Sequence, residues 1–328
     1  MFHKYPYTDL HELNLDWILA QLKNFPEGYD APDYVGGQYS DHIRYYIACD
    51  SGSDDNDGLT AETAFQTLDK LLDKVNGGLV DARCYFIEAG NYYFTHQFIS
   101  NVVLHLAPTV NGVNIVFDYQ DQEAFYFQNC HVKFGRDTEP YQLNIYTPGH
   151  GITAEGGEMA FYYTTVHDKF YQFGGYINTD YSGFEWLRFA GTSGTLSNLT
   201  ILNTSPSVWA IYLLRCASIY LANNITFANL RNAGTDFHSA MCHVSQGSNL
   251  YINATRSADL VNKYYYAIHS EGGNIWSYKG RYNAFIADHA AASAVGANRM
   301  TGFFITDAEP GYYGEDVSAD VEVIRYDA

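Results

Sequence analysis

An asparagine followed by an aliphatic residue recurs along this 328-residue chain at a nearly constant interval. The last three steps of the repeat span 26, 25 and 25 residues, and the 54-residue step before them fits two coils of 27. A repeat of this length is typical of a solenoid, in which each coil buries its apolar side chains against its neighbours. The repeated dipeptides start at Asn114, Asn144, Asn198, Asn224, Asn249 and Asn274.

The length of the repeat fits a coil of three short strands joined by three turns. Asparagine tolerates the left-handed backbone conformation and can hydrogen-bond along a stack, so we predict that the six asparagines lie above one another at a single bend. Near one of them, Ile219, Leu221, Ile225 and Phe227 have the parity expected of inward-pointing side chains. No leucine ladder and no four-strand blade pattern supports a leucine-rich repeat or a propeller.

A strand, a polar loop and a helix are predicted ahead of this repeat. Residues 45–50 alternate as a short strand does, and residues 51–60 are rich in Asp, Asn, Ser and Gly, which favour turns. Thr60 and Thr63 signal a helix start, and an apolar stripe at helical spacing follows through Val75.

The string YYIACDSGSDDNDGLTAETAFQTLDKLL, residues 45–72, resembles the entry segment of right-handed parallel β-helix proteins of the pectate-lyase type, especially those of bacteriophage tail spikes and tail appendages. The resemblance implies an all-β fold, a right-handed parallel β-helix solenoid whose first coil is covered by a short capping helix. It also implies that the chain assembles as a homotrimer.

We expect three regions in the chain. Residues 1–40 are predicted to be an N-terminal helical attachment arm with a linker, residues 41–290 the β-helix with its capping module, and residues 291–328 a C-terminal cap or inter-subunit contact. The last region departs from the repeat, and a solenoid end exposes unpaired strand edges that need a cover.

Residues 1–24 are predicted to form a helix with a broad apolar face that includes Leu10, Leu13 and Trp17. The string YPYTDLHELNLDWIL resembles the N-termini of virion proteins of small tailed phages, where such a segment seats an appendage on the tail or collar. We therefore predict that this face docks onto a tail or collar protein. The alternative is a helix that folds back onto the end of the solenoid.

Composition excludes several classes of function. The chain carries 18 Lys and Arg against 37 Asp and Glu, a net charge of −19, which argues against a nucleic-acid groove. Its five cysteines are scattered and odd in number, as expected of reduced core residues in a protein assembled in a cytosol. No signal-peptide core and no run of 18 apolar residues predicts export or membrane insertion. We expect a virion protein that is assembled in the host cytoplasm.

No common catalytic or cofactor motif is present, and we predict neither a metal nor a cofactor. The loop 50–58 resembles a calcium loop, but Ser53 and Ala64 stand where acidic ligands are needed, so its carboxylates are expected to stabilise turns. Hydrolysis of a glycan needs two carboxylates. Asp236 and Glu271 are the preferred catalytic candidates, because His238, His243 and His269 lie at coil-compatible spacings from them.

Tyrosine is abundant, with 30 copies, and it offers both a ring face and a hydroxyl to a sugar. From the tyrosine-rich stretches we select Tyr181, Trp186 and Tyr265 as candidate carbohydrate-binding residues. The favoured hypothesis is a phage tail spike or fibre that recognises a host cell-surface glycan. A β-helix polysaccharide depolymerase, acting as a hydrolase or a lyase, and a purely structural collar or head fibre remain the alternatives.

Overall fold

The computed structural model describes most of the chain from residue 43 onward, and residues 1–42 lie outside the described part. The described residues are 43–75, 81–95, 98–117, 125–147, 151–202, 209–227, 240–254, 258–259, 264, 266–277, 285–286, 290–295, 299–301, 315–317 and 322–324. The structure is predominantly β, with 64% strand and very few helices. No helix in the described ranges is long and apolar enough to cross a membrane.

Parallel strands stack coil upon coil into an all-β solenoid, and they fall into three series. Sheet A begins where β1 (Ile43–Ile47) meets β2 (Asp81–Phe86). It continues through β5 (Val103–Pro108), β8 (His131–Phe134), β11 (Glu158–Tyr162), β13 (Tyr176–Asp180), β15 (Ser193–Ile201), β17 (Ser218–Phe227), β19 (Asn249–Ala254), β22 (Asn274–Ser277), β25 (Arg299–Thr301) and β27 (Glu322–Ile324).

Sheet B follows sheet A within each coil. It contains β3 (Gly90–Phe94), β6 (Val113–Phe117), β9 (Leu143–Tyr146), the first parts of β12 (Thr164–Phe173) and β14 (Gly183–Ala190), and the last parts of β15 and β17. Two further strands, β20 (Ala258–Asp259) and β23 (Phe285–Ile286), pair in parallel with each other.

Sheet C completes the coil. It contains β4 (Phe98–Ser100), β7 (Phe125–Gln128), β10 (Ile152–Glu155), the last parts of β12 and β14, β16 (Trp209–Leu214), β18 (Ala240–Ser245), β21 (Tyr266–Glu271), β24 (Ala290–Val295) and β26 (Glu315–Val317). The strands described beyond residue 290 therefore continue sheets A and C.

Residues in the left-handed conformation turn the chain from sheet C into sheet A. Asn101, Asn129, Gly156 and Gly174 have φ values of 54, 52, 69 and 70° at this corner. The parallel hydrogen-bond ladder runs on through it, since the Asn101 N–H donates to the Gln128 carbonyl over 3.0 Å. The corner therefore satisfies its own backbone groups while it reverses the chain direction.

The predicted single stack of six asparagines is wrong. Asn114 and Asn144 lie in sheet B, where Asn144 donates to the side-chain oxygen of Asn114 over 3.0 Å. Asn198 and Asn224 lie where sheet A passes into sheet B, and Asn249 and Asn274 open sheet-A strands. Among the six, only Asn198 has a positive φ, 45°.

Coil length explains this error. From Glu158 to its register partner Tyr176 a coil takes 18 residues, whereas from Ser218 to Asn249 it takes 31. The step from Asn144 to Asn198 accordingly spans three short coils, not two of 27, because Asn144 pairs with Thr165, which belongs to a coil that is followed by two more. Equal sequence intervals thus do not place residues at equal positions in the coil.

The interior is a continuous column of apolar side chains. Ile219, Leu221 and Ile225 are 0, 0 and 1% exposed, which confirms their predicted inward parity, while the Phe227 side chain lies outside the described part. In the first half of the solenoid phenylalanines stack coil on coil, and the Phe134 and Phe161 ring centroids are 5.0 Å apart and nearly parallel. Three of the five cysteines are buried in this interior as predicted, whereas Cys216 is exposed at a corner.

One α-helix, α1 (Leu68–Val75), occurs in the described ranges, and its face of Leu68, Leu71, Leu72 and Val75 is buried. It begins at Leu68 with the Thr67 hydroxyl as its N-cap, and not near Thr60 as predicted. The earlier residues are held in other structure, because the Phe65 N–H donates to the Tyr46 carbonyl. The predicted attachment arm, with Leu10, Leu13 and Trp17, lies outside the described residues.

Candidate functional site

The acidic loop 50–58 uses its carboxylates to hold turns together. Asp54 accepts the N–H groups of Gln66 and Thr67, each over 2.9 Å, and the Thr67 hydroxyl over 2.7 Å. Asp57 accepts the Thr63 hydroxyl over 2.6 Å, which holds the pKa of that carboxyl below its usual range. These contacts join the loop to the start of α1, as the turn interpretation predicted.

The carboxyl group of Glu88 stabilises the neighbouring turn in the same way. It accepts the N–H groups of Asp50 and Ser51 over 2.9 and 3.2 Å. The ligand atoms of Cys49, Asp50 and Glu88 lie within 4.8 Å of one another, but burial raises the pKa of the Cys49 thiol and so disfavours the thiolate that a metal would need.

Of the two predicted catalytic carboxylates, the structure describes one. Glu271 is exposed at the end of β21, on the same face as His269, while Asp236 lies outside the described residues. His243 and His269 occupy adjacent coils in register, as their spacing predicted, with ring centroids 5.3 Å apart. Burial, and then the neighbouring His269, lowers the pKa of His243 to about 4, so this imidazole is neutral near pH 7.

The predicted carbohydrate-binding residues do not form one patch in the described structure. Tyr181 is 53% exposed at the corner between sheets A and B, where its ring stacks on Tyr163 at 5.0 Å. Trp186 lies beyond the short sheet-B strand of the same coil, on the outer face of sheet C, against the edge of Tyr171. Tyr265 lies outside the described residues.

A different aromatic surface emerges on the outer face of sheet A. Tyr220, Tyr251 and Trp276 are register partners on three successive coils, β17, β19 and β22. Tyr220 and Tyr251 are 38 and 37% exposed, and the rings of Tyr251 and Trp276 are 6.2 Å apart and within 14° of parallel. We call these three residues the sheet A ladder.

A column of polar side chains runs beside the sheet A ladder. Ser218, Asn249 and Asn274 are register partners, and the Asn274 side-chain amide donates to the Asn249 oxygen over 2.9 Å. The Trp276 indole N–H donates to the same oxygen over 3.4 Å, which helps to fix the indole plane. Neither the ladder nor this column contains a charged residue, although the chain as a whole carries −19.

The inward residues that precede the ladder residues hold it in place. Ile219, Leu250 and Ile275 are fully buried, so the alternation of the strand directs the next side chain outward. The strings Ser218-Ile219-Tyr220, Asn249-Leu250-Tyr251 and Asn274-Ile275-Trp276 were a visible signal of this surface. The sequence repeat drew attention to the asparagine and the aliphatic residue, and the aromatic residue after them was missed.

No protein-family model, curated protein or solved structure matches this chain. The fold and the surface chemistry of the described residues therefore carry the functional inference.

Proposed function

We propose that this protein is a phage virion appendage, a tail spike or fibre, whose right-handed β-helix binds a host cell-surface glycan through the sheet A ladder. It assembles as a homotrimer and is seated on a tail or collar protein by its N-terminal arm. The resemblance of residues 45–72 and of the N-terminal string to phage appendages supports the virion part of this proposal. The observation that carries the glycan part is the ladder.

The ladder has the chemistry that sugar recognition needs. Aromatic faces pack against the apolar C–H face of a pyranose ring, and tyrosine hydroxyls and asparagine amides bond its hydroxyl groups. Neighbouring coils are ~4.8 Å apart, so a glycan lying along the solenoid axis meets one ring on each coil. The absence of charge in these columns favours a neutral glycan over a charged polymer.

Binding at one ladder is expected to be weak, because a flat surface buries only part of each sugar. Three ladders in a homotrimer, and several trimers on one particle, raise the effective concentration of sites around the glycan. Attachment of the particle is then strong even though each contact is easily reversed.

The test is adsorption of the purified protein to host cells after Tyr251→Ala and Trp276→Ala substitution. Removing ring faces that contact the ligand is expected to weaken adsorption by about tenfold or more. Tyr93→Ala is the matched control, because Tyr93 is 51% exposed but lies on sheet B near the other end of the described solenoid.

Unchanged adsorption of folded double-variant protein would reject the ladder as the glycan site. If even the unsubstituted protein failed to adsorb, the purely structural fibre would be favoured. Shortened host polysaccharide after incubation with the protein would favour the depolymerase.

A further inference from the structure

Two cations and two aromatic rings alternate on the outer face of sheet C. Lys169 on β12 is in register with Trp186 on β14, and Tyr171 is in register with Arg188. The rings of Tyr171 and Trp186 meet edge to face at 5.0 Å. The guanidinium carbon of Arg188 lies 5.5 Å from the ring centroid of Tyr212 on the next coil. We call Lys169, Tyr171, Trp186 and Arg188 the sheet C array.

The basic groups of the array have no acidic partner among the described residues. The ion pairs found there lie elsewhere, on the elements around β8, such as Lys133 with Asp137 at 3.0 Å. Arg188 also has a buried Nε, and Trp186 a buried Nε1, that donate no hydrogen bond. Unpaired donors of this kind are costly in a folded protein, and an unpaired arginine stands out in a chain with twice as many acids as bases.

The nearest carboxylates border one end of the array only. His167 and Asp168 form a bulge on β12 opposite Glu185, beside Lys169. Asp168 is already bonded, since it accepts the Thr147 hydroxyl over 3.1 Å and the Lys169 N–H over 2.8 Å. The Lys169 end therefore has acidic neighbours.

The Arg188 end is bordered by the rings of Tyr171 and Tyr212 instead. A half-exposed guanidinium between aromatic faces binds an oxyanion through its planar fork of N–H groups, and the rings pack against the apolar remainder of the ligand. A sugar ring that carries a carboxylate combines these two features.

We propose that the sheet C array binds an acidic sugar of a glycan, with the carboxylate on Arg188 and the sugar ring against Trp186 and Tyr171. The site is separate from the sheet A ladder, which has no charge, and it deepens the proposed glycan recognition by naming an anionic ligand class. The carboxylates at the Lys169 end can accept hydrogen bonds from the hydroxyl groups of the same sugar.

Isothermal titration calorimetry of the full chain with hexamers of mannuronic and of galacturonic acid tests the proposal. At least one hexamer is expected to bind with a Kd below ~1 mM, and its carboxyl-reduced form about tenfold more weakly or not at all. The comparison of the two forms uses the unsubstituted protein, so it does not depend on how any variant folds.

Arg188→Gln is expected to remove the preference for the acidic form, and Arg188→Lys to keep part of it, because lysine retains the charge but not the planar fork. Arg83→Gln is the matched control, as it makes the same charge change on sheet A. Binding that disappears in Tyr251→Ala and persists in Arg188→Gln would assign the ligand to the ladder and overturn this proposal.

The proposal is also overturned if neither acidic hexamer binds at ~1 mM, or if native and reduced hexamers bind equally. A hexaglutamate peptide that binds as tightly as the hexamers would replace the sugar with an acidic peptide. None of these outcomes affects the sheet A ladder, whose own test uses Tyr251 and Trp276.

Discussion

At the scale of the residue, burial decides the charge of several histidines. His105 on sheet A donates its Nε2–H to the Gly135 carbonyl over 2.8 Å. Burial lowers the pKa of His105 to about 4, and the positive charge of Lys133, its register partner, lowers it further. The imidazole is therefore neutral in the folded protein at pH values where it is already protonated in the unfolded chain.

This difference predicts acid sensitivity. An unfolded histidine titrates near pKa ~6.5, so as the pH falls from about 6.5 to about 4 the unfolded state takes up a proton that the folded state does not. The contribution of His105 to stability is complete above pH ~6.5 and is lost over that window, by ~1–3 kcal/mol. His105→Gln keeps a donor for Gly135 but does not titrate.

Urea unfolding of both proteins at several pH values between 7 and 4 provides the measurement. The free energy of unfolding of His105→Gln is expected to fall less steeply with decreasing pH than that of the unsubstituted chain. Parallel curves would show that His105 titrates alike in the folded and unfolded states.

At the scale of the element, the tight corners rather than the strands set the tolerance to substitution. Gly135 has φ of +78°, and a Cβ added there would lie 1.8 Å from the carbonyl oxygen of Tyr162 on the next coil. Gly174 has φ of +70°, and a Cβ there would meet nothing within 4 Å. The two glycines share a strained backbone region but differ in the space around them.

The pair separates backbone strain from crowding. Gly174→Ala is expected to cost ~1–2 kcal/mol of unfolding free energy, which is the cost of a left-handed alanine. Gly135→Ala adds a clash with backbone that has to move, and is expected to cost ~3 kcal/mol or more. Chemical denaturation of both variants gives the comparison, and equal losses would show that coil-to-coil contact at Gly135 relaxes freely.

At the scale of the whole molecule, each described coil rests on its neighbours, so the solenoid is stabilised between coils. The described strands from β1 to β27 all stack in parallel. Nothing in this arrangement requires the N-terminal arm, which we propose to be the attachment segment. The shaft is therefore expected to fold without the arm.

Deleting residues 1–30 is expected to leave a soluble, folded homotrimer that no longer joins virions. Light scattering should give three times the 36.9 kDa chain mass before and after deletion, and particle occupancy should fall to background. A matched check is the full chain with Leu10, Leu13 and Trp17 changed to polar residues. Normal occupancy of the truncated protein would place docking elsewhere in the chain.

Local patterns in the sequence were sufficient to predict what depends on neighbouring residues. The alternation around Ile219 and Leu221 predicted which side chains face inward, because successive side chains in a strand point to opposite faces. The repeat predicted a solenoid, and the register of His243 with His269 followed from one coil length. The turn-forming role of Asp54 and Asp57 was also predicted, since such bonds are local.

Only the tertiary structure decided which residues of different coils meet. Coil length varies from 18 residues after Glu158 to 31 after Ser218, and each change in length shifts all later alignments. Tyr181 and Trp186 were therefore grouped wrongly by sequence proximity, while Tyr220, Tyr251 and Trp276 were missed although they stand in one column. The sequence by itself determined the side on which each residue lies; the register between coils, which depends on every intervening turn, determined its neighbours.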